Sequence, residues 1–335
     1  MNEQKAKSKG LKFDIKSMIK WFFRQREASI FIIIVLTIII VSLLQPRFLN
    51  TSNMRIIATG LSADGLMAIG MSMVLILGGI ELSVGSVSAM TSVIAGSLVL
   101  SGHHIGVAIL VAVSAGVIVG LFNGFMISKI GLPPFIVTLG MLSLARGIAF
   151  IFTMGSPLSM GGYLPDWFRF LGTGVVFGLP MIFLIFLTVT IVAHLMMKNA
   201  YICRQIFYIG SNEKAARLSA VNVDRVKIGV YLVVAMLSTL AGILSLARFN
   251  VATPELARMA EVRAISAAVI GGASMSGGVG SIIGAFLGVV LLNIVNSALV
   301  MLHVSVYWQE FVQGTILILV VTLDYLSRRR KLKNL

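Results

Sequence analysis

Glu81 stands in the run Gly78-Gly79-Ile80-Glu81-Leu82-Ser83-Val84-Gly85, between two long apolar stretches. A carboxylate placed there costs roughly 2.5–3.5 kcal/mol to insert into a bilayer, so it belongs in a protein interior or on a water path. The glycines around it let a helix break at that point. The same run also fits a short cytoplasmic turn with Glu81 in water. Asp64 and Glu310 are further acids within apolar stretches. With Glu81 they could serve as proton or sodium sites of an ion-coupled secondary transporter. Asn123, Asn293 and Asn296 are amides in apolar segments, the last two one helical turn apart. Each could touch a polar solute or make an interhelical hydrogen bond worth about 0.6 kcal/mol. Asp64, Glu81, Asn123, Asn293 and Asn296 are therefore the candidates for a translocation pathway.

Other chemistry finds no support. There is no GxxxxGK[ST] run, so the chain has no P-loop for ATP. Gly278-Val279-Gly280-Ser281 looks like part of a dinucleotide loop but lacks the preceding strand and the later acid, and reads as a packing motif. His103 and His104 are adjacent in a loop, and His194 and His303 stand alone near span ends, without metal-ligand spacing. The one cysteine, Cys203, excludes an intrachain disulfide and lies in a basic loop as a reduced thiol. No catalytic, cofactor-binding or metal-ligating residue is assigned, which argues against a membrane-embedded enzyme.

The elements that would hold these residues are membrane helices. The chain is 58% hydrophobic and only 12% charged, against about 25% charged in soluble domains. Its mean hydropathy is +0.99. The net charge of +15 does not mark a nucleic-acid binder, because the basic residues are segregated. Eight precede Glu27, six lie from Lys198 to Lys227, and five follow from Arg328. By the positive-inside rule these mark a cytoplasmic segment 1–27, a cytoplasmic loop 198–227 and a cytoplasmic tail 327–335, all placed to meet anionic lipid heads. The apolar run Ala28 to Leu44 is a retained signal anchor, since Gln45-Pro46-Arg47-Phe48 offers no small-residue cleavage site.

Ten membrane segments are expected within 28–326: 28–44, 54–78, 83–100, 105–129, 133–153, 176–197, 228–248, 263–273, 278–301 and 306–326. The expected fold is an all-α polytopic bundle with broken helices and both termini cytoplasmic. Segment 263–273 is too short to cross alone and reads as a half-helix or re-entrant piece. Residues 154–175 form a turn-rich outer loop with Trp167 as an aromatic belt residue. Gly116, Gly120 and Gly124 repeat at i+4, as do Gly280, Gly284 and Gly288. Such faces let backbones approach in a tight bundle, a dimer interface, or both. A frame GGxxxS recurs at Gly78–Ser83 and Gly271–Ser276, compatible with chance or with an internal duplication, parallel or inverted.

In the inner loop, Arg204–Ile209 reads as extended and Gly210 ends it. Ser211 reads as the N-cap of a two-turn helix, Glu213 suits its first turn, and Asn222 stops it. Ala215-Ala216, flanked by Lys214 and Arg217, fits a protein groove or a solvated connector.

One set of motifs occurs in order: Gly78–Gly85, Asn123-Gly124, Pro133-Pro134-Phe135-Ile136-Val137-Thr138-Leu139-Gly140, Arg146-Gly147, Ile209-Gly210 with Ala215-Ala216-Arg217-Leu218-Ser219, and Ala267-Ala268-Val269-Ile270-Gly271-Gly272. From about residue 28 to 326 the chain resembles the membrane permease subunit of bacterial ribose-, xylose- and galactose-type ABC sugar importers. The resemblance implies a homodimer, or a pseudo-homodimer with a related permease, in the bacterial inner membrane. It implies a separate ABC ATPase that binds ATP and Mg, and an extracytoplasmic solute-binding protein that delivers a monosaccharide. It implies that 210–220 is the coupling helix on which the ATPase docks, through Gly210, Ser211, Glu213, Ala215, Ala216 and Arg217. Several residues depart from the family pattern. Glu81 stands where Asp is usual, Arg263 where an acid is common, Asp64 where Asn or another uncharged residue is common, and Ala220 and His303 where Gly is frequent. Glu310 is also unusual. Ion-coupled transport and scaffolding by a degenerate permease are the alternative functions.

Overall fold

The computed structural model describes residues 26–333; residues 1–25 of the basic N-terminal segment and 334–335 of the tail lie outside the described residues. In chain order the helices are α1 (Arg26–Leu44), α2 (Thr51–Leu77), α3 (Val84–Leu100), α4 (Ile105–Phe125), α5 (Pro134–Thr153), α6 (Asp166–Thr173), α7 (Met181–Asn199), α8 (Tyr201–Ser211), α9 (Glu213–Leu218), α10 (Val223–Phe249), α11 (Ala260–Ile270), α12 (Ile282–Met301) and α13 (Val306–Lys333). Eight of them, α1, α2, α4, α5, α7, α10, α12 and α13, are long and apolar enough to cross a membrane. Of the ten expected segments, two are short: α3 has 17 residues and α11 has 11.

Burial separates the centre from the rim. In the apolar windows of α2 and α10, 83% and 72% of residues are buried, against 22% in α1 and 28% in α5 and α7. A helix apolar all round is satisfied either by protein or by lipid. Small residues decide which: α4 lays Gly116, Gly120 and Gly124 against α10. A Cβ added at Gly120 would lie 2.7 Å from the Leu232 Cα, and one at Gly124 2.7 Å from the Ile228 Cα. Gly284 and Gly288 of α12 abut the main chain of Gly271 and Ala267 at the end of α11. Gly280 is not on that face; it precedes α12 in a loop, against Ile76 and Ala273.

Residues 154–175 contain β1 (Leu158–Ser159) and α6, in which Phe168 is buried and Trp167 exposed. Next come β2 (Val175–Val176) and β3 (Leu179–Pro180), paired antiparallel with each other. β1 pairs antiparallel with β4 (Val251–Ala252), Leu158 opposite Ala252. From β4 the chain turns back along α3. A Cβ at Gly96 would meet Ala252, and one at Gly85 would meet Ala260, 11 residues earlier on the same helix. At 1.5 Å per residue the segment 252–260 thus descends by about 16 Å, and α11 starts at that depth as a half-helix. Arg146 of α5 pins the descent. Its Nη1 donates to the carbonyl oxygens of Pro254 and of Leu256, the latter at 2.8 Å.

Candidate functional site

The acids and amides singled out in the sequence fall into two groups. Glu81 follows the left-handed break at Gly78 (φ +86°), and it is 3% exposed. It accepts from the Ser83 backbone N–H (2.7 Å), the Ser83 hydroxyl (2.6 Å) and Asn123 Nδ2 (3.0 Å). Its position just before α3 places it at the positive end of that helix's dipole. The neighbouring Ile80 carbonyl accepts from Thr138 and Tyr231, at 3.4 Å each. Glu81 and Asn123 therefore bond to each other at a junction of α3, α4, α5 and α10, away from water in a turn.

Asp64, Asn293 and Asn296 form the second group. They line a cavity of 340 Å³ with Arg263, Gln309 and Glu310, between α2, α11, α12 and α13. Arg263 grips Asp64 with two N–H groups, Nε to Oδ2 at 2.9 Å and Nη2 to Oδ1 at 3.1 Å. This bidentate form is the strongest geometry available to such a pair. The two side chains are 25% and 23% exposed, so water reaches both. Asn293 is partly committed, donating to the Val289 carbonyl at 3.1 Å. Neither Glu81 nor Asn123 lines this cavity. Arg263 lines the same cavity although it is not among the five candidates read from the sequence; its charge within an apolar stretch is the signal that marks it.

The inner loop differs from expectation in four ways. Residues Arg204–Ile209 are helical, in α8, because Ile206 and Ile209 lie on one helical face and are buried against the bundle. Gly210 lies inside that helix, where its backbone touches the Ile76 carbonyl and the Gly278 N–H. Asn212, not Ser211, caps α9, accepting from the Ala215 N–H at 3.0 Å. Asn222 does not stop α9 but caps α10, accepting from the Arg225 N–H at 3.1 Å.

Helix α9 is tied down by ion pairs. Glu213 meets Lys227 (2.8 Å) and Arg217 (3.0 Å), and Arg217 meets Asp224 (3.0 Å), which also meets Lys129 (2.9 Å). Burial alone would raise the Glu213 carboxyl, but hydrogen bonds from Lys227 and Arg217 outweigh it and hold it below its ordinary value. Ala216 is only 5% exposed and packs inward. The outward surface is instead Lys214, Ala215 and Leu218, the last 90% exposed. Ser219 and Ala220 then close the helix, with Ala220 left-handed at φ 59°. Among the described residues no group of three or more His, Cys, Asp or Glu is placed to hold a metal ion.

A bundle of apolar helices around a charged and amide-lined cavity, with a short helix tethered outside the spans, is the construction of a polytopic membrane permease. The chain belongs to the family described as the branched-chain amino acid transport system permease component, which matches residues 53–321. It is 37% identical over 305 residues to the ribose import permease protein RbsC of Escherichia coli (strain K12), covering 91% of this chain and 94% of the relative. To RbsC of Bacillus subtilis (strain 168) it is 34% identical over 287 residues, covering 86% and 89%. To the autoinducer 2 import system permease protein LsrC of Escherichia coli (strain SMS-3-5) it is 30% identical over 308 residues, covering 92% and 89%. No solved structure matches. The chain is the transmembrane subunit of an ABC importer, a multi-pass inner-membrane protein; ATP hydrolysis belongs to a separate ATPase, and a binding protein is a further partner.

Proposed function

We propose that two copies of this chain, or one copy and a related permease, import a neutral monosaccharide, with a pentose as the first candidate. Both termini and the α8–α9 segment face the cytoplasm in this reading, where basic residues contact anionic lipid. The ATPase, carrying ATP and Mg, docks on the outward surface of α9 at Ala215 and Leu218. Its closure pulls on α10 through Arg217–Asp224 and Glu213–Lys227. The observation that carries the substrate reading is the 340 Å³ cavity, in which Asp64 and Glu310 are matched by Arg258 and Arg263 and accompanied by Asn293 and Asn296. Paired charges and amides offer donors and acceptors without a net field, which suits an uncharged polyol better than an apolar amino-acid side chain. Greater identity to the ribose permeases than to the autoinducer 2 permease supports a pentose. The test is ATP-dependent uptake into proteoliposomes holding the chain with its ATPase and binding protein. Labelled ribose should enter and leucine should not. Uptake of leucine alone, or sugar uptake driven by an ion gradient without ATPase, would refute the reading.

A further inference from the structure

A second cavity, of 590 Å³, lies beside the first, lined by Ser245, Arg248, Phe249, Thr253 and Glu255. The residues common to both cavities are Gly60, Asp64 and Arg263. We propose that the Asp64–Arg263 pair is a gate between two chambers of the solute path, opened when the adjacent hydroxyls of a neutral solute replace its two hydrogen bonds. The proposal rests on the importer reading above.

Four observations carry it. Asp64 of α2 and Arg263 of α11, 199 positions apart in the chain, are each other's ion-pair partner. The pair is bidentate yet open to both chambers, so a solute in either can reach both side chains. Arg263 Nη1 also donates to the Arg258 carbonyl at 2.9 Å, which anchors the guanidinium at the crossing when its other two bonds are exchanged. Gly60 lies one helical turn before Asp64 and leaves the crossing clear. A Cβ there would rest 3.4 Å from Asn293 Oδ1, without overlap.

The chemistry selects the solute. Asp64 requires donors and Arg263 requires acceptors. A vicinal diol supplies both and carries no charge. A sugar acid satisfies Arg263 but sets a second anion against Asp64. An amino sugar satisfies Asp64 but sets a cation against Arg263. The chambers add no bias, because Asp64, Glu255 and Glu310 are balanced by Arg248, Arg258 and Arg263. Like-charge juxtaposition of this kind is how binding surfaces reject wrong partners.

The test uses the reconstituted importer and compares initial uptake of a neutral pentose with that of the corresponding pentonic acid. The wild type should prefer the neutral sugar by about tenfold or more. Asp64→Asn should lower that preference, and Asp64→Asn/Arg263→Gln, which leaves no lone charge, should assemble and transport with the preference largely lost. Gly60→Leu should stop uptake without lowering thermal stability. An unchanged preference in both neutralised variants, or normal uptake by Gly60→Leu, would reduce the pair to a structural pin and overturn the proposal. If the wild type takes up no neutral sugar, the importer reading fails and the crossing is judged by labelling instead. In a Cys203→Ala background, Arg263→Cys should react with a cationic methanethiosulfonate about tenfold faster than with an anionic one, because Asp64 then stands bare in water. Equal rates, or no reaction with either reagent, would overturn the gate.

Discussion

Replacing Gly284 with alanine tests whether α11 and α12 are held backbone to backbone. A Cβ at 284 would sit 2.9 Å from the carbonyl carbon of Gly271 and 3.4 Å from its Cα, with the carbonyl oxygen closer still. Ordinary carbon–carbon contact is at about 3.5–4.0 Å, so α12 must retreat by more than half an ångström. The obstruction is main chain, and no rotamer change can relieve it. One turn further on, Gly288 lies equally close to the main chain of Ala267, so a retreat at 284 also opens that contact. Overpacking costs about 1–3 kcal/mol, and the severity here places it near 3. Alanine's better helix propensity returns about 1 kcal/mol, leaving a net loss of about 2. Gly140 supplies the control, because a Cβ there meets nothing within 4 Å. Gly140→Ala should gain up to about 1 kcal/mol from propensity alone. The two variants should therefore differ by about 3 kcal/mol, with opposite signs. Reversible unfolding in mixed micelles, followed by far-ultraviolet circular dichroism, measures both. Equal stability of the two variants would refute the close-packed interface.

Ala216→Glu should unseat α9, since it forces a carboxylate into a buried position, and hydrogen exchange across 213–218 should accelerate. Leu218→Asp should leave that exchange unchanged while weakening ATPase binding in a pull-down; intact binding would remove Leu218 from the docking surface. Ala220→Gly and His303→Gly relieve left-handed backbone at φ 59° and 57°. Each should stabilise the chain by about 1 kcal/mol in the same unfolding assay, and a loss would contradict the assigned strain. Because the Glu213 carboxyl is held below its ordinary value, its contribution stands at neutral pH and down through about pH 4.3, then is lost as pH falls through the lower folded value. Protection factors in α9 should be flat from about pH 8 to 5 and fall only below about 4. A fall already at pH 6 would sink the ion-pair account of its anchoring.

Hydropathy located the spans because each is a long local signal, and even the short piece at 263–273 was legible as α11, displaced by three residues. The buried setting of Glu81 followed from the cost of its charge, but its partner Asn123 did not, since no periodicity connects positions 42 apart. Asp64 and Arg263 were both conspicuous, yet their pairing depends on a descent of 252–260 that no residue pattern announces. The inner loop misled through its caps. Ser211 and Asn212 are both good N-caps, and the choice between them is made by burial of Ile206 and Ile209, which carries α8 one turn further. Asn222 read equally as a stop or a start. The GGxxxS frames gave no hint that the chain just after the second lies beside the start of the first, yet the Gly278 N–H donates to the Ile76 carbonyl at 2.7 Å, and Gly277 lies against Gly78 and Gly210.

The Asp64–Arg263 pair also sets an order of events during synthesis. The two residues are 199 positions apart, so α2 enters the bilayer with Asp64 long before its counter-ion has been made. At roughly 5–20 residues per second that interval is about 10–40 s. Through it, a lone carboxylate costing roughly 2.5–3.5 kcal/mol must be tolerated by the insertion machinery. A lone Asp64 thus weakens the insertion of α2 by that amount until α11 arrives, and the arginine that pairs with it in the finished structure removes the penalty.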